Sequence, residues 1–245
     1  MRSACLPIDE IDAATKASMA NLLGQHFEKV TYDIFETDLA DKTHAVLLFD
    51  DNDEISGFST FAISTTAGRS GEPTTVVCSG DTIVASNARR SSMLPSSWVQ
   101  AVHAIHEQTG NADLYWLLIT SGYRTYRFLP VFVKAYWPRV RQECDAGLSA
   151  WMHRLATNRW AERYDPDTGI VRLENAQPLL PHLSEVPDGR RADPHIDFFL
   201  ERNPGHARGD ELVSLARLNA SNLTPAGLRM LHAKTATQTS ESSHR

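Results

Sequence analysis

The sequence predicts an α/β protein built on one mixed central sheet. Three observations support this prediction: two apolar runs flank an acidic turn at 50–54, a long β-type run covers 74–85, and a continuous apolar run lies at 114–120. A helical pattern separates the last two runs. A right-handed strand–helix–strand crossover would place the strands at 74–85 and 114–120 side by side and parallel.

Local patterns of apolar side chains predict the elements of the first half. Residues 9–27 carry apolar side chains near a 3.6-residue period, which indicates a helix. The runs at 45–49 (AVLLF) and 55–65 (ISGFSTFAIST) are typical of the two strands of a hairpin. After the long strand at 74–85 (TTVVCSGDTIVA), Pro95 suits the first turn of the next helix, where its missing N–H costs nothing.

The second half is predicted to extend the sheet. The run at 114–120 (LYWLLIT) is apolar throughout, as expected for a strand buried on both faces. The polar, small residues at the end of the chain predict a frayed tail. The other expected elements are a helix after Pro130, a helix over 141–163, a strand at 170–173, a long excursion over 175–209 and a last strand at 211–218.

Composition excludes several classes of protein. The chain has 245 residues, of which 42% are hydrophobic and 22% charged, which excludes a collagenous, coiled-coil or wholly disordered protein. The net charge of −6 disfavours nucleic-acid binding, because phosphates are neutralised by clustered Lys and Arg. Apolar runs are too short for a membrane span or a signal peptide. We therefore expect a cytoplasmic protein without a membrane span.

The sequence predicts neither a disulfide framework nor a metal site. Cys5, Cys78 and Cys144 are far apart and odd in number, so we expect free thiols in a reducing compartment. His103 and His106 lie one turn apart on a predicted helix, but no third ligand is evident. We accordingly expect no metal cofactor.

A basic segment rich in hydroxyl groups, residues 86–95 (SNARRSSMLP), connects the long strand to the following helix. Ligands of such sheets collect at the carboxyl ends of parallel strands and at helix amino termini. Arg89, Arg90, Ser91 and Ser92 would hold a phosphate or pyrophosphate there with two guanidinium groups, two hydroxyls and backbone N–H groups. The alternative is a solvated basic turn, because a backbone without glycine approaches a phosphate less freely.

These elements resemble the core of the GNAT acyltransferases. In that family a valine near the end of the fourth strand leads into a (Gln/Arg)-x-x-Gly-x-(Gly/Ala) loop, whose amides hold the pyrophosphate of acyl-coenzyme A. In this chain Val84 follows Ser79-Gly80-Asp81-Thr82-Ile83 in the long strand, and Arg89 takes the Gln/Arg position. Ser92 replaces the first glycine and Leu94 replaces the last small residue.

The resemblance covers roughly residues 10–140 and implies a function. It implies a transferase that moves an acyl group from acyl-CoA or acyl carrier protein to a small amine or amino-acid-like acceptor. We accordingly divide the chain into an acyl-donor-binding core over 1–140, an extension over 141–232 that completes the sheet and covers the cleft, and a disordered tail over 233–245. The residues implied to bind the donor are Val84, Arg89, Arg90, Ser91, Ser92, Met93 and Leu94.

A basic, aromatic segment follows the strand at 114–120. Between Leu114 and Gln142 there are five basic and eight aromatic residues but no Asp or Glu. Such a segment suits a nucleotide-bearing donor, a carrier protein or, by stacking, a single-stranded nucleic acid. The alternative is that the aromatic rings belong to the core and the bases to a solvated helix face. Our candidates for substrate binding are Tyr123, Arg124 and Arg127.

Two side chains are candidates for catalysis, since acyl transfer must remove a proton from the amine and return one to the leaving thiolate. Asp81 lies among apolar neighbours; if it points into the cleft, burial would raise its pKa toward that of a general base. If it points the other way, it pairs with a neighbouring strand or caps a turn. Tyr126 follows the strand after which the resemblance places a thiolate-protonating tyrosine. In such enzymes that strand splays from its parallel neighbour, and the thioester would lie near Ser121.

Three classes of function stay open at this point. The first is the acyltransferase, with room among the aromatic residues for a long acyl chain. The second is a non-catalytic GNAT-like module that binds a ligand or partner, since the glycines of the phosphate loop are replaced. The third is an RNA or single-strand binder that uses residues 123–141, which the acidic net charge disfavours.

Overall fold

The computed structural model describes residues 1–86, 88, 92–141, 145–233 and 237–239. Its strands are β1 (Arg2–Pro7), β2 (His44–Phe49), β3 (Ile55–Ala67), β4 (Pro73–Val84), β5 (Asp113–Thr120), β6 (Tyr164–Asp165), β7 (Ile170–Val171), β8 (Glu211–Arg217) and β9 (Thr237–Thr239). Its α-helices are α1 (Ala13–Gly24), α2 (Tyr32–Ala40), α3 (Met93–Thr109), α4 (Tyr123–Tyr126), α5 (Phe128–Phe132), α6 (Ala146–Trp160), α7 (Pro181–Ser184), α8 (Pro194–Arg202) and α9 (Pro225–Leu231).

The strands form one mixed sheet in the order β6-β7-β8-β5-β4-β3-β2-β1-β9. Strands β4 and β5 are parallel and joined through α3, while β8 pairs with β5 in the antiparallel sense. The predicted α/β class with a mixed central sheet is therefore confirmed, and the order of elements from the hairpin to β5 is the one on which the resemblance rested.

Helices cover both faces of the sheet but leave part of one face open. Alternating strand side chains point to opposite faces. Val46 and Leu48 pack with α3, whose Trp98 contacts the ring of Trp116 at a centroid distance of 5.0 Å. Leu47, on the other face, packs with α1 and α2. Helix α6 covers the same face further along, above β5 and β8, with Trp151 packed in that cluster. The surface of β4 between α2 and α6 is therefore accessible.

Two elements of the first half were missed by the sequence analysis. The strand β1 is only six residues long, and its antiparallel pairing with β2 stabilises it. Helix α2 begins after Thr31, whose side chain accepts a hydrogen bond from the Ile34 amide at 3.3 Å. That cap is a recognisable start signal, which the short and mostly polar segment obscured.

Three predictions for the second half need correction. The excursion over 175–209 contains α8, which begins at Asp193 as the capping residue and has Pro194 in its first turn. The segment after Pro130 forms no long helix, because α5 ends at Phe132. The expected disordered tail is wrong for 237–239, since this stretch pairs as β9 in parallel with β1. The remainder of that predicted tail beyond Ala233 lies outside the described residues.

Substitution of Leu215 tests how much the pairing of β8 with β5 stabilises the fold. Leu215 is fully buried, pairs with Leu117 of β5 and packs beneath α6. Truncation to Ala leaves a cavity, so we expect Leu215→Ala to lower the free energy of unfolding by about 2–5 kcal/mol. Urea denaturation measures this change. The control is Val131→Ala at a position with 38% exposure. Equal, small losses of unfolding free energy in both variants would contradict the burial of Leu215 between β8 and α6.

Candidate active site

The parallel strands β4 and β5 diverge part of the way along. Their pairing runs from Thr74 opposite Asp113 to Cys78 opposite Leu117 and ends there, although β4 continues to Val84. Beyond this point β5 keeps its pairing with β8, and β4 keeps its pairing with β3. A wedge-shaped opening, the β4–β5 gap, therefore separates the carboxyl ends of the two strands. This divergence lies where the resemblance implied it.

A β-bulge in β4 lies beside the β4–β5 gap. Ser59 of β3 pairs with Thr82 and Phe61 pairs with Ser79, so β4 has one extra residue between these rungs. Without the bulge, Asp81 would share a face with Ser79, whose Oγ accepts a hydrogen bond at 3.0 Å from the indole of Trp116 on the α3 side. Because of the bulge, Asp81 lies on the other face of the sheet, where it lines the cavity described below.

Lys42 lies across the bulge and brings a positive charge to it. Its Nζ contacts both carboxylate oxygens of Asp38 at 3.0 Å, and its side chain is only 8% exposed. A Cβ atom at Gly80 would lie 2.5 Å from Cε of Lys42 and closer still to Oγ1 of Thr60. Glycine is therefore required at position 80 for Lys42 to lie flat against the strand beside Asp81.

A cavity of about 1100 Å³ extends over the bulge and the β4–β5 gap. Its floor is formed by β3, β4 and β5, and the segment at 173–179 closes one side. We call its two other sides the α2 wall, which carries Asp33, Asp38 and Asp41, and the α6 wall, which carries Leu155, Asn158, Arg159, Trp160 and the nearby Arg163. A cavity of this size accommodates a small organic molecule.

The surroundings of Asp81 perturb the pKa of its carboxyl group. Burial raises its pKa to about 7, the negative charge of Asp38 contributes in the same direction, and the positive charge of Lys42 opposes both. A carboxyl group with this pKa is substantially ionised at neutral pH and accepts a proton efficiently. The sequence-based expectation for Asp81 depended on its direction, and the bulge directs it into the cavity.

Glu211, the first residue of β8, is a second carboxyl group in the cavity that the sequence analysis missed. Its pKa is raised to about 8, mainly by burial and in part by the negative charge of Asp81, while a hydrogen bond with Ser121 acts in the opposite direction. Glu211 is therefore mostly protonated at neutral pH. In the sequence it precedes an apolar strand and resembles a solvated residue at a strand start; only the pairing of β8 with β5 brings it beside Ser121.

Tyr126 is not brought to this cavity. It is fully buried, its hydroxyl donates a hydrogen bond to the carbonyl of Pro138 at 3.1 Å, and its ring packs against Tyr136 and Phe199. Burial raises its pKa far above the ordinary value. Because α8 covers this side of α4, the tyrosine belongs to the core, and its hydroxyl is not available to a thiolate in the cavity.

The three candidates for substrate binding are separated. Arg124 lines the cavity, where its guanidinium donates to the carbonyl of Leu183 and lies 4.7 Å from the ring centroid of Tyr123. Tyr123 itself is buried in the core. Arg127 forms an ion pair with Asp193 at 2.9 Å. Arg124 is therefore the one of these three that lines the cavity.

The predicted donor-binding residues are only partly described. Val84 lines the cavity at the end of β4. Ser92 is exposed immediately before α3, and Met93 is half-buried, but Leu94 is 1% exposed and packs in the core. The side chain of Leu94 is therefore not available to a donor. Arg89, Arg90 and Ser91 lie outside the described residues.

The described residues form neither a cluster of metal ligands nor a membrane-spanning helix. No group of three His, Cys, Asp or Glu side chains in the described part of the chain could hold a metal ion. The helices of that same part include none that is both long and apolar enough to cross a bilayer. Cys5 and Cys78 are buried free thiols, while Cys144 is outside the described residues.

Comparisons with known proteins give structural likenesses only. No protein-family model matches the sequence, and no curated protein matches it. Similar solved structures include glucosamine-6-phosphate N-acetyltransferase from Arabidopsis thaliana (15% identity, 47% of this chain, 82% of that chain, TM-score 0.36). Another is a GNAT family N-acetyltransferase from Escherichia coli in complex with CoA (16% identity, 52% of this chain, 68% of that chain, TM-score 0.39). A third is aminoglycoside 6'-N-acetyltransferase from Acinetobacter baumannii (13% identity, 62% of this chain, 88% of that chain, TM-score 0.36). Identities and TM-scores this low do not define the chemistry of this chain.

The raised pKa values of Asp81 and Glu211 predict a pH-dependent stability. The folded protein holds these two protons more tightly than the unfolded chain does. The stability they contribute is therefore present at low pH and is lost as the pH rises through about 7 and about 8. We expect the Tm to fall between about pH 5 and about pH 9, and Glu211→Gln to flatten this fall. Thermal unfolding at a series of pH values measures it.

The matched control for this prediction is Glu162→Gln. Glu162 is exposed and does not line the cavity, so its variant should keep the wild-type dependence of Tm on pH. A Glu211→Gln variant that also keeps the wild-type dependence would show that Glu211 does not retain its proton in the folded protein.

Proposed function

We propose that this chain is an acyltransferase, which moves an acyl group from a thioester donor to the amine of a small acceptor bound in the cavity. The observation that carries the proposal is the position of Asp81. The bulge directs this carboxyl group into the cavity beside the β4–β5 gap, and its surroundings raise its pKa to about 7. Removal of a proton from an attacking amine requires a base with these properties.

The β4–β5 gap suits a donor with an extended arm that contains amide groups. Past Cys78, β4 no longer pairs with β5, so its backbone N–H and C=O groups on that edge can bind such an arm as an added strand. Acyl-CoA and acyl carrier protein both present their thioester on an arm of this kind. The phosphate end would reach the start of α3, where Arg89, Arg90, Ser91 and Ser92 remain the sequence-based candidates.

The proposed transfer begins at the acceptor's ammonium group. Asp81 accepts a proton from the acceptor's ammonium group, and the resulting amine attacks the thioester carbonyl carbon. Backbone N–H groups of β4 beyond Cys78 are candidates to stabilise the oxyanion. The C–N bond forms, the attacking nitrogen releases its second proton to water, the C–S bond breaks, and the thiolate leaves. Glu211, which holds its proton at neutral pH, protonates that thiolate in place of the buried Tyr126. The proton on Asp81 then returns to Glu211.

Asp81→Asn tests the assignment of the base. We expect kcat for acyl transfer to fall by about 10²- to 10⁴-fold, since the amide cannot accept the proton. In the wild type, kcat should rise as the pH passes about 7 and then level off, because the ionised form of Asp81 is the active one. Rates of free-thiol release over a pH series measure both effects.

The control for Asp81→Asn is Asp167→Asn, an exposed position outside the cavity, which should retain the wild-type rate. Unchanged turnover in a folded Asp81→Asn variant would remove Asp81 as the base. Tight binding of acyl-CoA without turnover of any amine would instead favour the non-catalytic ligand-binding module.

Donor binding gives an independent prediction. We expect the wild type to bind coenzyme A, acetyl-CoA or a long-chain acyl-CoA, and the double variant Arg89→Ala, Arg90→Ala to bind about tenfold or more weakly, since charge-assisted hydrogen bonds to phosphate are lost. Calorimetric titration measures the affinities. No binding of any of the three by the wild type would redirect the proposal to acyl carrier protein, whose addition should then support turnover.

A further inference from the structure

The two walls of the cavity carry opposite charges. The α2 wall carries Asp33, Asp38 and Asp41, and the carboxyl group of Asp81 lies on the floor beside it. The α6 wall carries Arg159 in the last turn of α6 and Arg163 just after it. A molecule that spans the cavity therefore meets carboxylates at one end and guanidinium groups at the other.

The two guanidinium groups of the α6 wall are available to a ligand. No described carboxylate lies within 4.0 Å of Arg159 or Arg163, and neither guanidinium donates a hydrogen bond to a carbonyl among the described residues. The third arginine that lines the cavity, Arg124, is engaged, because its guanidinium donates a hydrogen bond to the carbonyl of Leu183.

Arg159 reaches the floor of the cavity at the point where β4 and β5 separate. Its guanidinium carbon lies 5.8 Å from the ring centroid of Trp160, which limits the directions it can take. Its charge and a hydrogen bond act on the thiol of Cys78, whose pKa burial nevertheless raises. Cys78 is the last residue of β4 that pairs with β5. An anionic group bound to Arg159 would therefore lie near the β4–β5 gap.

An anionic group bound at Arg159 would belong to the acceptor rather than to the phosphates of the donor. The start of α3, where the donor's phosphates are expected, lies on the other face of the sheet, since α3 packs with Val46 and Leu48. Neither Ser92 nor Leu94 lines the cavity. The expected position of the donor's phosphates and the α6 wall are therefore on opposite faces of the sheet, so only the thioester end of the donor would pass through the gap.

We propose that the acceptor carries an anionic group in addition to its amine, and that Arg159 and Arg163 bind this group while the amine faces Asp81. A carboxylate and a phosphate share the required chemistry, because both accept paired hydrogen bonds from a guanidinium. Leu155, Trp160 and Leu173 provide an apolar surface next to the arginines that suits a hydrocarbon body. This inference rests on the proposed acyl transfer and narrows its acceptor to one that bears both charges.

Matched pairs of amines test the inference. Leucine and 3-methylbutylamine differ only in the carboxylate; O-phosphoethanolamine and ethanolamine differ only in the phosphate. We expect the wild type to bind at least one member that carries the anionic group about tenfold or more tightly than the partner that lacks it. The double variant Arg159→Gln, Arg163→Gln should lose this preference and bind both members of each pair with similar affinity. Calorimetry measures the affinities, and acyl transfer from acetyl-CoA provides the second readout.

The control variant is Arg191→Gln, at an exposed position outside the cavity, which should keep the wild-type preference. Equal affinities for both members of each pair in the wild type, or a preference that survives in the double variant, would overturn the inference; turnover of the amines that lack the anionic group would then leave the proposed function standing. A probe whose anionic group binds the two arginines but which is never acylated, when the amines without that group are not acylated either, would contradict the proposed function and keep the anion-binding site. The pair that shows the preference identifies the carboxylate or the phosphate as the natural anion.

Discussion

The site depends on how β5 divides its hydrogen bonds between two neighbours. Over its first residues β5 pairs with β4 on one side and β8 on the other, but from Leu118 onward it pairs with β8 alone. The long antiparallel ladder with β8 holds β5 in place while β4 follows β3 on a different course. Unpaired backbone groups on two adjacent strands cost free energy unless water or a ligand satisfies them. The opening therefore leaves backbone groups on the edge of β4 that water or a ligand can satisfy, and the cavity extends over it.

The bulge in β4 and the start of β8 then bring two carboxyl groups to the same space. Neither group has a full complement of positive partners: Lys42 is held by Asp38, and Glu211 has the hydroxyl of Ser121. Burial of such groups disfavours their charged forms and lowers stability at high pH. Perturbed carboxyl groups in a cleft are typical of functional sites, because the same surroundings that destabilise the fold give the groups a pKa near neutrality.

The sequence predicted the parts of the structure that local pattern controls. The runs that became β4 and β5 are long and apolar, and Asp81 was recognisable as a carboxyl group among apolar neighbours. The direction of Asp81 depends on a bulge set by the register with β3, which no local pattern reveals. Glu211 was missed because its place depends on the pairing of β8 with β5, about ninety residues away in sequence. Tyr126 was misassigned because α8, which the sequence analysis did not detect, covers it.

The arrangement of charge in the cavity also bears on how an acceptor loses its proton. A free amine is normally protonated at neutral pH, and a carboxylate alone would stabilise that ammonium form. Positive charges close to the amine have the opposite effect, because they lower its pKa. Lys42 lies beside Asp81, and Arg159 lies near Cys78, the last residue of β4 that pairs with β5. An acceptor whose anionic group binds Arg159 and Arg163 would hold its amine near Asp81 and Lys42 despite the positive charge of the ammonium. The energy of binding the anion would then offset the cost of placing the amine where it releases its proton to Asp81.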